Sequence, residues 1–199
     1  MILPTYQPPE PEPMALCNAR KIICVGFMKT GTTSLAAYLN LLGLKIMHDH
    51  PREISVYQDG FFRDFLYGYD GCANMYVPFF QEMDAHYPSS KFILTTRHSE
   101  KWWRSLKSWG LPTSSQRADA SDTLGYRDLF GCLRPAKRQA ITRMNNHNLL
   151  VKHHFCLRED DLLVLDVDQN NKAEAVSSFL NLPVLEYPHK KSVGNKYSG

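Results

Sequence analysis

What most limits the folds open to this chain is one string, Gly26-Phe27-Met28-Lys29-Thr30-Gly31-Thr32-Thr33-Ser34, set between two apolar patterns of different period. Upstream, Lys21 to Phe27 is a short apolar run with Ile22, Ile23, Cys24 and Val25, the pattern of a strand buried on both faces of a parallel sheet. Downstream, Leu35, Ala36, Leu39, Leu42 and Leu44 recur at helical spacing, and Gly43 is placed to end the helix. Strand, glycine loop and helix therefore follow in order. A helix start carries unpaired backbone N–H groups and the positive end of the helix dipole, which together attract an anion. Gly31 lets the loop bend so that several amides converge, and the hydroxyls of Thr32 and Thr33 add donors.

The position of the lysine narrows the anion. A nucleotide triphosphatase loop has its lysine immediately after the last glycine. Here Thr32 follows Gly31, and the cation, Lys29, stands two residues before the glycine. The loop has an anion nest and one cation in an arrangement that disfavours a kinase or ATPase.

The rest of the chain alternates strand and helix. A second strand is expected at Lys45 to Met47, a helical stretch from Pro51 to Tyr67, a short strand at Gly71 to Met75 and a helix at Val77 to Tyr87, which Pro88 ends. Lys91 to Thr96 reads as a strand and Glu100 to Trp109 as a helix. An amphipathic pattern from Pro135 to Phe155 includes Ala136, Ile141, Met144, Leu149, Leu150 and Phe155; a strand at Asp161 to Val167 and a helix at Ala173 to Leu180 follow. This order implies α/β layering around a mainly parallel sheet. With 199 residues the chain suffices for one core. Residues 1–16 hold five of the twelve prolines and read as an extended arm, and 17–199 as one domain.

A ligand with two anionic ends needs a second clamp. Arg97 closes the strand Lys91 to Thr96, and Ser105 follows eight positions later in the next helix. A guanidinium and a hydroxyl both meet phosphate well. Met28 to Leu35 resembles the sulfate-donor loop of the sulfotransferase superfamily, Pro-Lys-Thr-Gly-Thr-Thr-Ser-Leu, and departs from it only at the proline, here Met28. The Arg97–Ser105 spacing is similar to that family's 3'-phosphate element. Tyr87-Pro88, Lys91 to Arg97 and Glu100 to Ser105 resemble one branch of it, as do Arg143 with His147-Asn148, Asp161 to Val167, Phe179 to Pro183 and Pro188-His189. The likeness runs from about Lys21 to His189. It implies a three-layer α/β/α P-loop fold with a mainly parallel central sheet and PAPS (3'-phosphoadenosine 5'-phosphosulfate) as cosubstrate, with Lys29, Thr30, Gly31, Thr32, Thr33 and Ser34 at the phosphosulfate and Arg97 and Ser105 at the 3'-phosphate. It also implies Lys29 in catalysis, no metal, and a small-molecule acceptor carrying a hydroxyl or an amine.

Sulfuryl transfer usually needs a base for the acceptor proton. Where the related branch has a carboxylate after a Tyr-Asp pair, Tyr69-Asp70-Gly71-Cys72-Ala73-Asn74 offers Asn74, which accepts no proton at neutral pH. His48 is the expected substitute, with His50 as alternative, because imidazole titrates in the useful range. The remaining reading is a donor-binding protein without transfer. Trp102 and Trp103 are expected in the core, and Lys190 and Lys191 in a solvated basic tail.

The 23 basic and 20 acidic residues are spread along the chain, a net charge of +3 with no polybasic tail of the kind that wraps nucleic acid. Cys17, Cys24, Cys72, Cys132 and Cys156 have no paired spacing that suggests zinc or a redox dithiol and are expected reduced and mostly buried. The first residues lack a secretory pattern and no window is apolar enough to span a membrane, so a cytoplasmic protein without membrane contact is expected.

Overall fold

The computed structural model describes residues 20–48, 66, 68–74, 77–109, 127 and 129–189. The arm at 1–16, the helical stretch expected from Pro51 to Tyr67 apart from Leu66, and His50, Lys190 and Lys191 lie outside them. Five strands, β1 (Ile22–Cys24), β2 (Ile46–His48), β3 (Gly71–Ala73), β4 (Lys91–Thr96) and β5 (Leu162–Asp166), form one sheet in the order β2-β3-β1-β4-β5. Every pairing is parallel. Among the described residues the helices are α1 (Thr32–Leu41), α2 (Phe80–His86), α3 (Ser99–Trp109), α4 (Lys137–His154) and α5 (Lys172–Leu180), with 3-10 turns at Val77–Phe79 and Glu159–Asp161.

Alternation along the strands builds the three layers. Ile23 and Val25 turn to one face, where Met47, Cys72, Phe92 and Leu94 meet Phe80 and Met83 of α2 and Val151 of α4, with Phe155 just beyond that helix. Cys24 turns to the other, with Ala73, Ile93 and Leu165 against Leu35, Tyr38 and Leu39 of α1 and Ala173 and Val176 of α5. A third cluster joins Phe27 to Trp102 and Leu106 of α3 and Ala140 and Met144 of α4.

Gly43, at φ 86, donates to the carbonyl of Asn40 (3.0 Å) and ends α1 as its sequence implies. The apolar reading of α4 needs correction: its buried stripe is Ala140, Met144, His147 and Val151, while Leu149 and Leu150 are 65% and 59% exposed. Helical geometry puts those two leucines off the stripe that the sheet covers. Cys17 lies outside the described residues, and the other cysteines divide as well: Cys24 and Cys72 are buried, Cys132 is half-buried and Cys156 is exposed. Burial pushes the Cys72 thiol up to about 12 and raises that of Cys24, so both are inert.

Beyond α5 the chain climbs back along the α1–α5 face. Ser177 Oγ donates to the Pro183 carbonyl (2.9 Å), the Leu185 amide donates to Tyr38 Oη (3.2 Å), and Tyr187 packs on Tyr38 at 4.8 Å between centroids.

Candidate functional site

In a parallel sheet all strands end on one edge, and ligands gather where successive connections leave in opposite directions. The chain leaves β1 through α1 towards β2 and leaves β4 through α3 and α4 towards β5, and these connections lie on opposite faces. The crevice between the ends of β1 and β4 is therefore the divergence point. The Lys29 loop follows β1 there, and Arg97 follows β4.

The loop is bound tightly to its surroundings. Gly26 lies so close to β4 that a Cβ would stand 1.9 Å from Thr95 Oγ1 and 2.6 Å from the Thr95 carbonyl. Gly31, the N-cap of α1, has φ 91, and a Cβ there would meet Val167 Cγ2 at 2.6 Å. Lys29 itself is in the left-handed region, φ 67, which a non-glycine residue enters at a cost and which concentrates at functional sites.

Four loop carbonyls are taken up by side chains. His147 of α4, 8% exposed, meets the Val25 carbonyl through Nε2 at 2.8 Å, and its ring lies 5.0 Å from that of Phe27. The hydroxyl of Thr30 donates to the Phe27 carbonyl and lies 2.6 Å from Thr95 Oγ1. The indole N–H of Trp102 donates to the Met28 carbonyl (2.9 Å), and Arg97 Nη1 donates to the Lys29 carbonyl (3.1 Å). A planar trans peptide holds its N–H opposite its C=O. The N–H groups of Met28 and Lys29, which share peptides with the Phe27 and Met28 carbonyls, therefore point away from these anchors.

Of the sequence-derived residues, Lys29, Thr30, Gly31, Thr32, Thr33, Ser34 and Arg97 come together here. Thr30 and Thr32 are buried, Ser34 is half-buried and Thr33 is exposed. Ser105 lies on α3 between Trp102 and Trp109, at positions i, i+3 and i+7, which share one face. Both tryptophans of that face touch the loop: Trp102 as above, and Trp109 with its ring 5.3 Å from Lys29 Nζ. Trp102 is also fully buried against Phe27 and Phe130, as its core reading expects.

His48 ends β2, and β3 stands between it and β1. At the usual interstrand spacing this is roughly 10 Å from the loop strand. Asn74 follows β3 directly with φ 60. Asparagine is among the few non-glycine residues that tolerate that conformation, a backbone reason for its presence.

The donor set suits a polyanion: one ammonium, one guanidinium, hydroxyls and a helix N-terminus. Arg97 Nε is buried with no hydrogen-bond partner among the described residues, which leaves one strong donor unused. Asp168, just past the end of β5, is held below the usual carboxylate range by the hydrogen bond from Lys101 (2.9 Å), opposed by slight burial and helped by the charges of Lys101, Arg97 and Lys172. No group of three His, Cys, Asp or Glu side chains is set to hold a metal among the described residues, and none of their helices is long and apolar enough to cross a membrane.

Sequence reasoning missed His147 as a partner of the loop, although it noted the His147-Asn148 pair. The contact joins residues 122 positions apart, and no local pattern announces it. The comparison with curated proteins gave no match. A family model described as a sulfotransferase domain matches residues 21–195. That match covers both strand ends of the crevice and the five helices found among the described residues, and the chain belongs to the sulfotransferase family.

Proposed function

We propose that the chain moves a sulfuryl group from PAPS to a hydroxyl or amine of a small-molecule acceptor. The observation that most supports this reading is the bond from Arg97 Nη1 to the Lys29 carbonyl, 3.1 Å, by which the cation after β4 adjoins the loop after β1. That adjacency of two groups of anion donors supports one nucleotide with two anionic ends as their ligand. When bound, PAPS supplies an activated sulfuryl group whose leaving group is a phosphate.

The residues divide the work. The Lys29 ammonium offsets charge on the departing oxygen, a role for which a fixed cation in a dry site is well suited. The first amides of α1 and the Thr33 and Ser34 hydroxyls hold the phosphosulfate end. Arg97, with its unused Nε, and Ser105 hold the 3'-phosphate. His48 is the candidate base for the acceptor proton, with His50 its alternative.

A second reading, donor binding without transfer, is favoured by Asn74, which occupies the end of β3 next to the loop strand and has no proton-accepting group. Transfer from labelled PAPS, screened over phenols, alcohols, amines and sugars, separates the two. Product with any acceptor class supports the first reading; binding of adenosine 3',5'-bisphosphate with no product supports the second. Stronger thermal protection by ATP with magnesium than by the bisphosphate would overturn both.

A further inference from the structure

We propose that Trp102 and His147 are positioning residues of the sulfate-donor loop, acting through its carbonyls rather than by touching the donor. The proposal rests on the donor reading above and goes beyond it, since neither residue belongs to the donor-binding set.

The geometry is specific. An anion nest works only if its N–H groups converge, and a free loop of this length would lose that convergence to peptide rotation and to water. Here each of the Val25, Phe27, Met28 and Lys29 carbonyls accepts from a side chain, and three of those side chains belong to other segments: His147 on α4, Trp102 on α3 and Arg97 after β4. The Phe27 carbonyl is held from within the loop by Thr30, itself 2.6 Å from Thr95 on β4. Arg97 serves donor binding as well. Trp102 and His147 are 0% and 8% exposed and sit beneath the loop, so their contribution passes through the backbone.

The hydrogen-bonding chemistry fits the role. The indole N–H is a donor with no acceptor function, so it can fix a carbonyl without competing for an amide. Burial lowers the basicity of His147 and favours its neutral imidazole, while the hydrogen bond to the Val25 carbonyl opposes that shift. With Nε2 facing a carbonyl, the proton of the neutral ring is on Nε2 and the bond is a donation. A glutamine at 147 carries an amide N–H2 at a comparable distance from the backbone and is the conservative replacement; leucine keeps bulk and removes the donor.

The experiment compares Trp102→Phe, His147→Gln and His147→Leu with the wild-type chain in two readouts. The first is hydrogen exchange of the Met28 to Thr33 amides in the ligand-free protein. The second is calorimetric affinity for adenosine 3',5'-bisphosphate. Trp102→Phe and His147→Leu are expected to speed loop-amide exchange and weaken bisphosphate binding by about 2- to 12-fold each, the range for one neutral hydrogen bond. His147→Gln is expected to stay near wild type in both. Unchanged loop exchange and unchanged affinity in Trp102→Phe and His147→Leu, accompanied only by a lower melting temperature, would overturn the proposal and leave both residues as packing. Failure of Gln to rescue at 147 would overturn the hydrogen-bond account of that position. A wild-type chain that does not bind the bisphosphate defeats the donor reading, and the exchange data still decide whether the tethers hold the loop. Should Trp102→Phe fail to fold, the His147 pair carries the test.

Discussion

Lys29 combines an unfavourable backbone with the charge that the proposed chemistry needs. Its left-handed φ of 67 persists because Arg97 takes the carbonyl on one side and Trp109 lies under the ammonium. Lys29→Ala removes the charge and keeps the strain, so the expected outcome is a loss of sulfuryl transfer of at least about 100-fold with nearly unchanged folding. Turnover kinetics beside a melting curve check this, and normal turnover would refute the role. Gly26 makes a different demand. An added Cβ would collide with β4 backbone, which cannot rotate out of the way, and Gly26→Ala is expected to destabilise by about 3 kcal/mol. Urea unfolding measures it; a change below experimental error would mean that the strands part more easily than their packing implies.

At the scale of elements, α4 joins the sheet to the loop through His147, and this makes stability depend on pH. Burial lowers the pKa of His147 below the ordinary imidazole value of 6.5, so the unfolded chain takes up a proton there that the folded chain refuses. Its contribution is complete above pH 6.5 and is lost as pH falls from 6.5 towards the folded-state value, at no more than about 1.4 kcal/mol per pH unit for one proton. Unfolding free energies at pH 7.5 and 5.5 for wild type and His147→Gln check this: the wild type should lose more. An equal loss in both would sink the assignment. A second joint lies on the opposite face, where Tyr38 Oη meets Ser177 Oγ (2.7 Å), the Ala173 carbonyl (3.3 Å) and the Leu185 amide (3.2 Å). Tyr38→Phe leaves the ring and strips this junction, with an expected loss of about 1–3 kcal/mol. Proteolysis across 181–189 should speed in parallel, read by limited digestion and mass spectrometry.

Taken whole, the molecule is a sheet whose neighbouring strands β1 and β4 end beside each other and send their connections to opposite faces, and the crevice so made is where a nucleotide is expected. If adenosine 3',5'-bisphosphate binds only the folded state, a ligand concentration of 100 times Kd adds about 2.7 kcal/mol. For a chain of this size that is a rise in melting temperature of about 5–10 °C, absent in a Lys29→Ala, Arg97→Ala double variant. Much of this was legible beforehand. Residues 91–96 with Arg97 and Ser105, and 21–34 with Lys29 and Gly31, announce strand, loop and helix through local periodicity and glycine placement, because those features act over a few residues. The exposed side of α4 was misread at Leu149 and Leu150, since an apolar residue at roughly helical spacing does not say which stripe the sheet covers. Sequence alone determined most element types, through periodicities that act over a few residues, and the residue types of the loop on which the family resemblance rests. Only the tertiary structure decided which strands are neighbours, why Asn74 suits a left-handed turn, and that a tryptophan 74 and a histidine 122 positions away grip the loop carbonyls. Hydrogen bonds over such separations depend on how layers pack, and no local pattern encodes them.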